Sequence, residues 1–205
     1  MCYNQSLMNT RPKIAVVAMQ GDFDKHLQML TSLGVEAYPA RTPAQIAQAD
    51  GIVLPGGEST TIGKLLARYG LDEAIQTAAE EGKAIFGTCA GLILLAREIA
   101  VGTGERGGQP TLGLLDIVVA RNAFGRQVDS FEAQLDVPLL GPEPLHAVFI
   151  RAPSVVETGP QVEALATYED KCVFVRQGNI LGSAFHPELT DDDRTHRLFL
   201  AQIAA

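Results

Sequence analysis

Basic residues are scarce in this chain of 205 residues: 16 Lys and Arg stand against 24 Asp and Glu, a formal net charge of −8. A protein that works by neutralising phosphates needs the opposite sign, so no nucleic acid is expected as a partner. Cysteine is scarcer still. Cys2, Cys89 and Cys172 make an odd three with no C-x-x-C spacing, which indicates neither a disulfide framework nor a zinc site and leaves free-thiol chemistry as what a cysteine here can do. Long apolar runs are also lacking. The longest largely apolar stretch, 84–96, is broken by Gly87, Thr88, Cys89 and Gly91 and falls short of the roughly 18 residues of a membrane span. Residues 1–12 are polar and carry no apolar segment of a secretory signal. The expectation is a cytoplasmic chain with no membrane partner, a short extension over 1–12 and one domain over 13–205.

With 46% hydrophobic and 20% charged residues the composition is that of an ordinary globular protein, which argues against disorder. Residues 13–19 (KIAVVAM) form a β-branched run that stops at Gln20-Gly21-Asp22, and Phe23, Leu27, Leu30 and Leu33 follow at helical spacing before Gly34. A strand at 35–38 precedes Thr42-Pro43-Ala44-Gln45, a capping box with Pro at the first helical position, and a third strand follows at 51–54. Helices at 60–69 and 72–81, stopped by Gly70 and Gly82, lead to a strand at 83–86. Successive β-α units of this length imply a parallel sheet with helices on both faces.

After Cys89 an apolar run predicts a buried helix ending near Ala100, and the four glycines of 101–110 predict a mobile surface loop. The second half changes character. Closely spaced strands at 115–120, 131–137, 147–150, 163–168, 172–176 and 180–185 predict antiparallel additions to the sheet. A last helix over 191–204 opens with three aspartates, which suit the positive end of its dipole.

Three segments can carry chemistry. Gly87-Thr88-Cys89-Ala90-Gly91 follows a strand and opens a helix, the cysteine form of a nucleophile elbow. The sharp turn exposes the thiol, the glycines admit close backbone, the helix N-terminus lowers the thiol pKa, and the Ala90 amide can donate to an oxyanion. Phe185-His186-Pro187-Glu188 ends the last strand, where residues i and i+2 face one side, so Glu188 can orient His186 toward Cys89. Leu54-Pro55-Gly56-Gly57-Glu58-Ser59 lies at a strand's carboxyl end, where open α/β sheets collect ligands. Its spacing does not match a phosphate-binding G-x-x-x-x-G-K-[ST] loop. Arg121 and Arg151, each at a strand end, can hold a substrate carboxylate or serve as surface charges. Cys172 in an apolar strand and Cys2 in a polar terminus read as structural. His26 reads as a surface or packing residue, and His146 and His196 have no evident acid partner in a site-like context.

PGGEST, GTCAG and HPE together resemble the class I glutamine amidotransferases. Longer stretches resemble, within that family, the glutaminases that serve pyridoxal 5′-phosphate synthases: MQGDF (19–23), LPGGESTTIGKLL (54–66), GTCAGLILLA (87–96), LGLLDIVVARNAFGRQVDSFEA (112–133), VFIRAP (148–153) and SAFHPELT (183–190). The likeness runs from about Ile14 to the C-terminus. It implies a flavodoxin-like three-layer α/β/α fold and a Cys89–His186–Glu188 triad that hydrolyses L-glutamine through a thioester. It further implies a glutamine pocket of Gly57, Glu58, Ser59, Arg121, Ile150 and Arg151, an oxyanion hole from the Gly57 and Ala90 amides, and no cofactor or metal. The partner implied is a synthase subunit that receives the ammonia, and its docking flips a peptide of the Gly56-Gly57 loop. Lys25, in a helix that the family uses for docking, stands where an acid is expected, and the loop near 103–108 is longer than the family's. Two other readings share the exposed thiol: a γ-glutamyl hydrolase or cysteine peptidase needing no partner, and a redox-sensing or chaperone-like protein. The His-Glu pair and the glycine loop favour acyl transfer over the sensor.

Overall fold

The structure, a computed structural model, describes residues 11–101, 105–106, 108–123 and 130–203. Cys2, most of the 1–12 extension and part of the glycine-rich loop lie outside the described residues.

The first half alternates: β1 (Lys13–Val17), α1 (Phe23–Ser32), β2 (Glu36–Ala40), α2 (Pro43–Ala47), β3 (Gly51–Leu54), α3 (Ser59–Tyr69), α4 (Leu71–Glu80) and β4 (Ala84–Thr88). Then come α5 (Ala90–Leu95), β5 (Ala96–Val101), β6 (Glu105–Arg106), β7 (Leu115–Ala120), β8 (Ser130–Leu135), β9 (Leu145–Ile150), β10 (Ser154–Thr158), β11 (Glu163–Tyr168), β12 (Lys171–Gln177), β13 (Ile180–Ser183) and α6 (Arg194–Ile203). Local chemistry sets several boundaries. Thr42 Oγ1 accepts from the Gln45 amide while Gln45 Oε1 accepts from the Thr42 amide at 3.1 Å, the reciprocal cap of α2. Gly70 ends α3 at φ 68°, a left-handed geometry that glycine adopts without strain.

The main sheet runs β2-β1-β3-β4-β13-β12-β10-β7-β5-β6, with β11 added to β12. From β2 to β13 every pairing is parallel, the flavodoxin-like core. Beyond it β13, β12, β10 and β7 pair antiparallel. Strand alternation in β4 divides the helices between two layers. Phe86 turns toward α6, its ring 6.0 Å from Phe199 and 5.8 Å from His196. Gly87 turns the other way, onto α5, where a Cβ would come within 2.6 Å of Leu95 Cδ1. Phe86 is fully buried, a burial that contributes about 2–3 kcal/mol.

Several sequence expectations need correction. The helix after Cys89 ends at Leu95 rather than near Ala100, because residues from Ala96 pair with β7 as a strand. The segment expected to be wholly loop contributes β6, which pairs with β5. β8 and β9 do not join the main sheet; they form a separate hairpin whose Phe131 and Phe149 stack at 4.6 Å and lean on Tyr168 of β11. β10 was not expected at all. Finally, α6 begins at Arg194, after the three aspartates, and Asp192 and Asp193 instead pair with Arg194 and Arg197. Among the described residues no helix is long and apolar enough to cross a membrane.

Candidate active site

Three adjacent parallel strands, β3, β4 and β13, release their chains at one carboxyl edge, and each supplies one of the segments singled out above. Cys89 leaves β4 at φ 49° and ψ −100°, a strained conformation for a residue with a side chain. Its backbone holds that position from both sides: the Cys89 amide donates to the Ser183 carbonyl at 2.8 Å, and the Cys89 carbonyl accepts from Ile93 at 3.3 Å. The glycine after the elbow has no room for a side chain, since a Cβ on Gly91 would lie 2.1 Å from the Leu54 carbonyl oxygen. Cys89 Sγ faces the Ile150 carbonyl at 3.8 Å.

His186 is anchored by its own amide, which donates to Val148 O of β9 at 2.8 Å. Phe185 before it packs edge-on against Phe149 and Phe174. His186 Nδ1 and Glu188 Oε1 are 2.7 Å apart, and the His186 side chain also hydrogen-bonds Cys89. All three residues are buried, with 7%, 7% and 4% of Cys89, His186 and Glu188 exposed. Burial by itself would pull the His186 pKa down; the hydrogen bonds and charge of Cys89 and Glu188 outweigh it and push it up to about 10. Burial would raise Glu188, but His26 and then the bond from His186 hold it at about 2. Burial keeps His26 below its usual value, so near neutral pH the charged imidazole beside Glu188 is His186 and not His26.

A cavity of about 150 Å³ opens beside Cys89. Gly57, Glu58, Ser59, Ala90, Arg121, Ile150 and Arg151 all line it, so the structure brings together every pocket residue expected from the sequence. Ile93 and Asn122 line it too and were not anticipated. Gly57 sits at φ 149°, where a Cβ would strike Gln20 Oε1 at 2.7 Å. Glu58 has a second job. Its carboxylate caps α3, accepting from the Thr60 and Thr61 amides at 3.0 and 2.7 Å and from the Thr61 hydroxyl at 2.6 Å, and Arg121 lies 3.8 Å away. The Thr61 hydroxyl bond, helped by the Thr60 and Thr61 amides and opposed by desolvation, brings its pKa down to about 2. Gln109, also unanticipated, braces the rim: its Oε1 accepts from Ser59 Oγ, Thr60 Oγ1 and Arg121 at 3.0, 2.9 and 3.4 Å.

Of the two roles open to His26 the structure shows packing: it is fully buried, 3.4 Å from Glu188 Oε2, and His196 is buried behind it. His146 pairs with Glu132 at 2.7 Å on the exposed hairpin, away from the cavity. Cys172 is a partly buried free thiol whose pKa burial raises, which suits an inert role. A buried thiol beside an imidazole that is in turn held by a carboxylate, at the mouth of a cavity rimmed by two arginines, is an arrangement suited to acyl transfer from a small anionic substrate.

Comparison with known proteins places the chain in a family. The family model of the SNO glutamine amidotransferase family matches residues 16–205. The chain is 56% identical over 191 residues to the pyridoxal 5′-phosphate synthase subunit PdxT of Carboxydothermus hydrogenoformans, covering 93% of this chain and 97% of that protein. It is 57% identical over 188 residues to the PdxT of Herpetosiphon aurantiacus, covering 91% and 98%. A crystal structure of a glutamine amidotransferase superposes with a TM-score of 0.85 at 50% identity, covering 94% of this chain and 99% of that one. PurLQS from Thermotoga maritima, at 19% identity and a TM-score of 0.69 over 93% of this chain and 98% of that one, shares the fold.

Proposed function

The chain belongs to the SNO glutamine amidotransferase family, and from that premise we propose that it is a cytoplasmic glutaminase that hydrolyses L-glutamine to L-glutamate and ammonia. The ammonia passes to a synthase subunit that makes pyridoxal 5′-phosphate, in keeping with the PdxT relatives. The observation that carries the reading is the convergence of Cys89, the His186–Glu188 pair at 2.7 Å and a cavity lined by Gly57, Arg121 and Arg151 at one sheet edge.

The mechanism follows from how His186 is held. With Nδ1 bonded to Glu188, its ring accepts the Cys89 thiol proton, and the sulfur is the nucleophile. Sγ attacks the γ-carboxamide carbon of glutamine, and the carbonyl electrons move onto oxygen, where the amides of Gly57 and Ala90 receive the charge. Collapse of that oxyanion breaks the C–N bond while His186 gives its proton to the departing nitrogen, and ammonia leaves a γ-glutamyl thioester on Cys89. Water then gives a proton to His186 and its oxygen to the acyl carbon; the thioester breaks, the new carboxyl group loses its proton to solvent as glutamate departs, and His186 returns its proton to Sγ. Glu188 stays ionised throughout, keeping His186 Nδ1 bonded and supporting the imidazolium. Arg121 and Arg151 hold the substrate α-carboxylate, and Glu58, tied into the α3 cap, shapes the pocket wall. Removing one oxyanion donor from such a site costs roughly 10²- to 10³-fold in rate.

A glutamine analogue with an electrophilic carbon at the γ position tests the assignment. Incubation with the chain and its synthase subunit, for an analogue bearing a leaving group on that carbon, should displace the group and add the mass of one analogue less its leaving group and the thiol hydrogen to the peptide containing Cys89, and nothing to that containing Cys172. Label elsewhere, or none on a folded and reduced protein, would contradict it.

A further inference from the structure

Glu188 uses one oxygen on His186. The other, Oε2, is buried and has no hydrogen-bond partner among the described residues, and the polar atom beside it is Nε2 of His26 at 3.4 Å. His26 lies on α1, completely buried, with Nε2 3.1 Å from Thr88 Oγ1 on β4 and Nδ1 3.0 Å from His196 Nε2 on α6. A continuous line of polar side chains therefore runs from the cavity back through the sheet edge: Cys89, His186, Glu188, His26, His196.

The far end of that line fixes which atoms carry hydrogens. His196 Nδ1 is buried and has no partner among the described residues. If His26 Nδ1 held the hydrogen, His196 Nε2 would have to accept it, and the His196 hydrogen would sit on Nδ1 as a buried donor facing nothing. An orphaned buried N–H is rarer in proteins than an orphaned acceptor. In the reverse arrangement His196 Nε2–H donates to His26 Nδ1, only a lone pair is left unmatched, and the His26 hydrogen must lie on Nε2. That N–H then donates to Thr88 Oγ1, and Glu188 Oε2 lies 3.4 Å from the same nitrogen. Both rings are neutral near pH 7: burial disfavours the charged form of each and outweighs the opposing pull of Glu188, with His186 adding to it at His26 and His26 adding to it at His196. The charged groups facing His26 are Glu188 and His186 from beyond β13 and Asp22 from the turn before α1; Thr88 and His196 face it as neutral groups.

We infer that His26 is a positioning residue for the reaction: held in its Nε2–H form by His196, it fixes the second oxygen of Glu188 and so the orientation in which the first bonds His186. A carboxylate bonded through one oxygen can swing about its terminal bond; the His26 ring, its polar Nε2–H 3.4 Å from the other oxygen, opposes that swing by electrostatic attraction and by occupying the space behind it. The inference rests on the Cys89–His186–Glu188 reading and deepens it. His26 does not line the cavity, so its loss should leave glutamine binding alone and reduce the fraction of molecules in which His186 is correctly held.

The test measures glutamine hydrolysis by the chain with its synthase subunit, comparing wild type with His26→Ala, His26→Gln, Glu188→Ala and the double variant His26→Ala/Glu188→Ala. His26→Ala should lower kcat about tenfold, within the range that displacement of a reacting group produces, with KM unchanged. His26→Gln, whose amide N–H can reach Glu188 while filling more of the space, should recover most of that loss. On the Glu188→Ala background, His26→Ala should add nothing, because its effect passes through the residue already removed. An unchanged kcat in His26→Ala would overturn the inference, as would an equal further loss on the Glu188→Ala background. So would a folded His26→Gln, melting as wild type does, with no better kcat than His26→Ala. The triad reading fails separately, through full activity in Glu188→Ala or turnover in Cys89→Ala, neither of which involves His26.

Discussion

Gly56 and His186 touch: a Cβ built on Gly56 would fall 2.4 Å from His186 Cε1 and 3.1 Å from Nδ1. The imidazole is therefore pressed from one side by the glycine loop after β3 while Glu188 holds it from the other. No side chain fits in that gap without moving the ring.

Gly56→Ala should for that reason lower glutaminase kcat about a hundredfold, the effect of a displacement near 1 Å. The fold should persist, since the clash is with one side chain. Circular dichroism and steady-state kinetics in the presence of the synthase subunit check both halves. A variant with wild-type kcat would mean that His186 need not occupy its observed position.

Arg121 stands at the rim of the cavity, close to Glu58 and Gln109. If it holds the substrate carboxylate, Arg121→Ala should raise KM by roughly ten- to hundredfold, the value of one hydrogen bond to a charged group, and leave kcat nearly unchanged. Arg121→Lys should recover part of the loss, because charge remains while the planar fork is gone. A kcat effect without a KM effect would move Arg121 from binding to chemistry.

Acid stability should carry the mark of the buried histidines. Burial lowers His26 below its ordinary value and His196 to about 3. The unfolded chain binds those protons near pH 6.5 and the folded chain does not, so stability should fall as pH drops from about 6.5 toward 3. His186 works in the opposite sense. Raised to about 10, it adds stability that is complete below pH 6.5 and lost as pH climbs through 10. Thermal midpoints followed from pH 7 to 4 should fall less steeply for His196→Gln than for wild type; parallel curves would show that His196 does not titrate on unfolding.

Much of this arrangement was legible in the sequence because its signals are local. The β-branched runs of β1, β3 and β4, the Thr42–Gln45 cap and the glycine stops need only their neighbours in the chain, and the first half of the fold follows from them. The catalytic candidates were legible for the same reason, each lying in a short segment at a strand end. What was missed depends on partners far away. Residues 92–100 are apolar nearly throughout, and periodicity cannot divide such a run into a helix to Leu95 and a strand from Ala96; pairing with β7 decides it. β10 is apolar only at Val155 and Val156, with Glu157 and Thr158 exposed, so its alternation is too short to read. His26 meets Thr88, Glu188 and His196, residues 62 to 170 positions away, and no local pattern announces them. One clue was present: it lies three residues after Phe23 and four before Leu30, on the apolar stripe of α1, where a polar side chain must find buried partners.

Release of glutamate from L-glutamine by the purified chain, alone and with the pyridoxal 5′-phosphate synthase subunit added, bears most directly on the central claim when wild type and Cys89→Ala are run side by side. Wild type should turn over glutamine and do so much faster with the synthase present, while Cys89→Ala, folded as before, should release none. Glutamate from the Cys89→Ala variant, or none from folded and reduced wild type in either condition, would contradict the account.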